Sequence, residues 1–364
     1  MAGLSAYRWN HVSRAGLPGL SLLFFLLVFI LFPSGFSSTD AWSYAAAARY
    51  GTDLARPFHL LYNPFGWTIF NVFSFTGIDA LALLKVFNSF FAVASLYFLQ
   101  LILKQYEVSG NRLAIITILA GTSFGIMRYA TENETYILPL FLGLGSSYFY
   151  LCYKLKGRVL HLFLTGLLAS LAALFHLSYI IWWSVLLISI FIFARRKQDL
   201  FFLLSFLLLP VVYLLVISCA GNSPVVKSAC DFFAMDATGN LNFDPDGRSI
   251  LLSVIGLVRS FIQVHGYMFG MVKGNILFLL PAIISVILVV FSIRRAGSIT
   301  LKGRADTFIN VHFVIFGINF LFAVISRGNA EFMVMLPVLL VHDYCSIILE
   351  GGERGLYHVW LQRC

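Results

Sequence analysis

A lone carboxylate, Asp40, closely follows an apolar run from Leu17 to Phe32, in the sequence Phe36-Ser37-Ser38-Thr39-Asp40-Ala41-Trp42. Within a turn or two of a bilayer face, a carboxylate can take a proton from a lipid-borne substrate without entering hydrocarbon, so Asp40 is a candidate general base. Its other reading is a charge stabilising the positive end of a helix dipole. Glu132 and Glu134 flank Asn133 in a short turn, a spacing that suits a shared divalent cation or a sugar hydroxyl; otherwise they balance Arg128. Asn133-Glu134-Thr135 is formally a glycosylation sequon, though close to the bilayer. His176 interrupts two apolar runs, and His265 lies in another; each is a candidate site residue or a satisfied structural histidine. In Arg327-Gly328-Asn329-Ala330-Glu331 an arginine fork has room to clamp a phosphate, or Arg327 and Glu331 simply close the turn as an ion pair.

The elements that position these groups are membrane spans. Sixty per cent of the residues are hydrophobic and 11% are charged, with a mean hydropathy of +0.88, whereas soluble domains carry about 25% charge. Stretches near the roughly 20 residues that cross a bilayer recur along the chain. Ten are readable, at 17–32, 80–103, 113–127, 136–153, 159–175, 178–194, 200–219, 275–293, 308–325 and 332–349. The fold class is therefore an all-α polytopic membrane protein, one integral domain over 1–364.

Placing the N-terminus inside puts 16 basic and six acidic residues on the inner side, net +10, and leaves the rest at −1. This is the positive-inside asymmetry. The formal +9 thus reflects topology, and no nucleic-acid partner is expected. The elaborate segments, 33–79 and 220–274, then face outward, as do the candidate site residues. In the first, Thr39 is the expected N-cap of a helix over Ala45 to Ala48 that Gly51 ends, and Asp53 pairs with Arg49 or Arg56. Asn63-Pro64 leaves a piece too short to span, which reads as an interfacial helix. In the second, the apolar stretch 249–272 carries Arg259, Gln263 and His265 and reads as surface-lying or re-entrant. Cys219 and Cys230 are either a disulfide or two free thiols. The expected location is the bacterial plasma membrane with the working face outward.

The pattern resembles the polytopic glycosyltransferases of the GT-C superfamily, which include polyprenyl-phosphate-sugar-dependent mannosyl- and arabinosyltransferases and protein O-mannosyltransferases. The resemblance rests on Thr39-Asp40-Ala41-Trp42 after the first span and on a long first outer loop containing Arg56-Pro57-Phe58-His59-Leu60-Leu61-Tyr62. Glu132-Asn133-Glu134 and Ser326-Arg327-Gly328-Asn329 add to it. Many members carry paired acids where Asp40 stands alone, and larger ones carry a soluble C-terminal domain not seen in this sequence. The resemblance implies inverting transfer from a polyprenyl-phosphate sugar at the outer face, with membrane lipids around it. Asp40 would act as base, while Arg327, with His59 or Arg259, would stabilise the departing phosphate. Glu132 or Glu134 would orient the acceptor or, with Asp40, hold a divalent cation. The alternatives are a carrier or flippase, or a polymerase-like protein, for lipid-linked glycans.

Overall fold

The computed structural model describes residues 16–106, 108, 110–193, 202–220, 247–261, 273–280, 283, 307–326 and 333. Among them the chain is all-α. Twelve α-helices run in the order α1 (Leu17–Leu31), α2 (Thr39–Tyr50), α3 (Tyr62–Val72), α4 (Ala80–Gln105), α5 (Gly110–Gly121), α6 (Phe124–Ala130), α7 (Ile137–Lys156), α8 (Val159–Phe175), α9 (Ile180–Phe193), α10 (Leu208–Ala220), α11 (Gly247–Phe261) and α12 (Thr307–Ile325). Two of them, α4 and α12, are long and apolar enough to cross a membrane. A third joins them if α5 and α6, bent by 69° at a short break, form one span. Shorter apolar helices occupy Leu17–Leu31, Val159–Phe175, Leu177–Ile192 and Leu203–Ser218. At 1.5 Å per residue the 26 residues of α4 reach about 39 Å.

Local chemistry explains where the helices begin and stop. Pro18, in the first turn of α1, has its φ preset for a helix and no N–H to waste. The N-cap of α2 is Ser38 rather than the expected Thr39: its Oγ accepts the Ala41 N–H at 2.9 Å. Gly51 ends α2 at φ +66°, with the Trp67 indole so close that a Cβ would meet it at 2.9 Å. Pro64 falls in the first turn of α3, where proline is tolerated, so Asn63-Pro64 opens this 11-residue helix. The segment 33–79 thus holds two α-helices too short to cross a membrane, α2 and α3.

Packing is close where backbones approach. The Phe25 ring of α1 lies 2.5 Å from where a Cβ on Gly121 of α5 would sit, so only glycine allows this crossing. The helices α7, α8, α9 and α12 bury Trp182, Tyr150 and Phe308 completely. A polar pin ties three of them. Trp182 Nε1–H donates to Ser147 Oγ at 3.0 Å, and that hydroxyl is 2.8 Å from His312 Nε2. The other His312 nitrogen, Nδ1, donates to the Phe308 carbonyl at 2.7 Å. Polar groups between apolar helices are held because each finds a partner there.

Three candidate site residues, His265, Arg327 and Glu331, lie outside the described residues, as do the Cys219–Cys230 pairing and, apart from Met333, the expected span at 332–349.

Candidate functional site

The turn between α6 and α7 is the centre of the site. Its residues Glu132, Asn133 and Glu134 are 3%, 0% and 6% exposed, and Thr135 is buried too. Such depth for two carboxylates and an amide requires that every polar atom be met, because an unpaired buried charge costs several kcal/mol (of order 3–5). The chain meets them from three distant segments. Lys85 of α4 places Nζ 3.4 Å from Glu132 Oε1, and the same oxygen accepts the Asn133 N–H at 2.9 Å. Asn88, one turn along α4, donates Nδ2–H to the carbonyls of Glu132 and Glu134 at 2.7 and 2.9 Å. The Tyr62 hydroxyl of α3 donates to Asn133 Oδ1 at 2.9 Å, and Asn133 Nδ2–H reaches the Ala41 carbonyl of α2 at 2.7 Å. Glu134 accepts a very short hydrogen bond from the Ser38 hydroxyl.

Ser38 therefore works in two directions. It caps α2 through its oxygen and anchors that cap to the acidic turn through its hydrogen. Asp40 stands two residues further on, exposed in the first turn of α2. Tyr44, one turn later, is buried, and the desolvation, reinforced by Glu134 and then Asp40, pushes its phenol far above the usual range. Asp40 and Glu134 thus both act on one tyrosine, the first exposed and the second buried and bonded to Ser38.

A second cluster shares Tyr44 as its wall. The His59 ring is 5.9 Å from Tyr44 and 4.6 Å from His176, which in turn lies 4.9 Å from Tyr136. Two backbone bonds hold this arrangement: Leu61 N–H to the Leu174 carbonyl at 3.1 Å, and Leu177 N–H to the Phe58 carbonyl at 2.9 Å. The Tyr213 hydroxyl of α10 adds a bond to the Pro57 carbonyl at 2.7 Å. Burial first, and then the Arg56 guanidinium, pull His59 down to about 4. Burial and the adjacent His59 hold His176 well below the usual imidazole value. Both rings are neutral at pH 7. His176 Nδ1 accepts the Ser178 N–H at 3.2 Å, while His59 bonds the Phe175 backbone and its buried Nδ1 finds no partner among the described residues. Arg56 bonds Ser43 Oγ at 2.7 Å, lies over the Tyr44 ring and pairs with Asp53 at 3.8 Å, one of the two expected pairings for that acid.

The structure thus brings Asp40, His59, Glu132, Glu134 and His176 into one region around Tyr44. Arg259 is elsewhere, exposed in the last turn of α11. Arg128 does not balance the acidic turn: it is exposed over the Tyr129 ring, and the cation that meets Glu132 is Lys85. Asn133 is fully buried and bonded through both side-chain atoms, so the sequon is closed to a glycan in this fold. Among the described residues the carboxylates do not assemble a divalent-cation site. Glu132 is engaged by Lys85 and Glu134 by Ser38, and among the described residues no three His, Cys, Asp or Glu converge.

Sequence reasoning missed Lys85 and Asn88, which brace the turn. The signal was present: they are an i, i+3 pair on one face of an otherwise apolar span, where an ionisable residue calls for a partner. Lys85 also donates to the Ser34 carbonyl at 2.8 Å and closes one side of a cavity of about 260 Å³ between α1 and α4. Phe29, Ile30, Pro33, Leu81 and Val86 make that cavity largely apolar; Asp40, Glu132 and Glu134 do not line it. Comparison with protein families, with curated proteins and with solved structures finds no match to this chain.

Proposed function

We propose that the protein is an inverting membrane glycosyltransferase that moves a sugar from a polyprenyl-phosphate donor to an acceptor hydroxyl at the outer face of the membrane. The reading takes the chain as ten spans with both termini inside, following the +10 against −1 charge division. The observation that carries it is the contrast between two carboxylates beside Tyr44. Glu134 is buried and bonded, whereas Asp40 is exposed at the edge of a rigidly braced turn. A base must be reachable by substrate yet fixed in place, and a capped helix start tied down through Ser38 meets both needs.

In this mechanism Asp40 takes the acceptor hydroxyl proton as that oxygen bonds to the anomeric carbon. The bond from that carbon to the phosphate oxygen breaks, and prenyl phosphate leaves with the electron pair. Arg327 meets the growing negative charge. Glu132 and Glu134 are positioning residues that hold the platform of α2, and no step passes through a metal. The apolar cavity between α1 and α4 suits the lipid portion of a substrate.

The test is to supply a labelled polyprenyl-phosphate sugar to protein reconstituted in vesicles and to follow both transfer and translocation. Glycosyl transfer with release of prenyl phosphate is the expected result. Translocation of intact donor without transfer would replace the enzyme with a carrier.

A further inference from the structure

The helix α11 is built inside out. Its buried residues are Ser249, Ser253, Gly256 and Ser260, spaced so that all four fall on one face. That small, polar face packs against α6 and α12. The opposite face carries Ile250, Leu251, Val254, Ile255 and Val258, all exposed. A helix at a water-washed protein surface has the reverse arrangement, with its apolar stripe turned to the core. Between helices surrounded by lipid, small residues and serines belong at the contact and large apolar ones outside.

The charges define a third face. Arg248 and Arg259 are eleven residues apart, about three turns, so they lie along one flank of α11. Both are exposed, on the border of the apolar face. The described 15 residues of α11 extend about 22 Å. The neighbouring α12, on which α11 packs and which is one of the two helices of spanning length among the described residues, exposes Phe313, Val314, Ile318 and Leu321.

We infer that α11 is an interfacial helix whose apolar face lies in the acyl region of the bilayer and whose Arg248–Arg259 flank binds the phosphates of anionic lipids. Three observations select a membrane as the occupant. The polar face is already spent on protein contact. The helix on which that polar face packs, α12, is itself long enough to span and exposes large apolar side chains. The two arginines stand where lipid phosphates would be when the apolar face is immersed. The assignment also separates Arg259 from the donor phosphate, and it stands whether or not the protein transfers sugar.

Spin labels at Val254 and Ser253, placed by cysteine substitution in the full chain without its other reactive thiols, test this in vesicles. Lipid contact predicts that the Val254 label collides freely with oxygen and little with a water-soluble nickel reagent. The Ser253 label should be shielded from both. A nickel-accessible Val254 label would place the face in water. A Val254 label shielded from both reagents would mean that another protein surface covers it. Either result overturns the inference. Adding phosphatidylglycerol to phosphatidylcholine vesicles should draw the Val254 label deeper, and Arg248→Gln with Arg259→Gln should abolish that shift. A shift that persists in the double variant would remove the arginines from lipid binding.

Discussion

The buried histidine pair predicts an acid-labile clasp. His59 and His176 join the segment between α2 and α3 to the C-terminal end of α8, and both are held neutral by burial. A folded-state pKa depressed below the usual 6.5 means that the closed clasp favours the unprotonated rings. Their contribution is therefore fully present above pH 6.5 and is lost as pH falls toward the folded values. With His59 at about 4 in the closed state and about 6.5 when opened to water, lowering the pH from 7 to 5 costs close to 2 kcal/mol, or about 20-fold in the opening equilibrium. His176 loses stability in the same direction. The assay is hydrogen exchange at the Leu61 and Leu177 amides, which bond across the clasp. After correction for the intrinsic pH dependence of exchange, their protection should fall by about 20-fold or more between pH 7 and 5. Combining His59→Gln with His176→Asn removes the titrating groups while keeping polar atoms, and should flatten the response. Equal corrected protection at both pH values in wild type would refute the reasoning.

Other consequences concern the braced turn and the spans. Lys85→Met leaves Glu132 buried without its cation and should cost about 3–5 kcal/mol in denaturant unfolding. Adding Glu132→Gln should recover much of that loss, since a double-mutant cycle exposes the coupling. Gly121→Val should weaken the α1–α5 crossing by at least about 1–3 kcal/mol, because Phe25 already occupies the space; normal stability would mean that the crossing is looser than drawn. Cysteines placed at Asp246 and Lys302 should label from opposite sides of the membrane. Labelling from one side only would end the ten-span arrangement.

What was legible in the sequence follows from range. The helix ended by Gly51 and the short helix after it depend on neighbouring residues, and both are found. The partners of the acidic turn are not local. Ser38 and Glu134 are 96 positions apart, and Asn88 is 44 from Glu132, so no spacing rule connects them. Lys85 was readable as an ionisable residue in a span, yet its partner becomes evident only when α4 packs beside the turn. For α11, periodicity reveals two unlike faces, but only packing against α6 and α12 shows that the polar one is covered. The candidate base itself was legible, because its position after the first apolar run and at a helix start requires no tertiary contact.

The central claim rests on Asp40, and the most direct measurement is sugar transfer by Asp40→Asn in reconstituted vesicles. The substitution keeps shape and removes the base. Asp40 is exposed, so the unfolding transition should stay near that of wild type while turnover falls by about 10²–10⁴-fold. A folded Asp40→Asn protein that transfers sugar at the wild-type rate would contradict the mechanism and leave Asp40 as a helix-start charge alone.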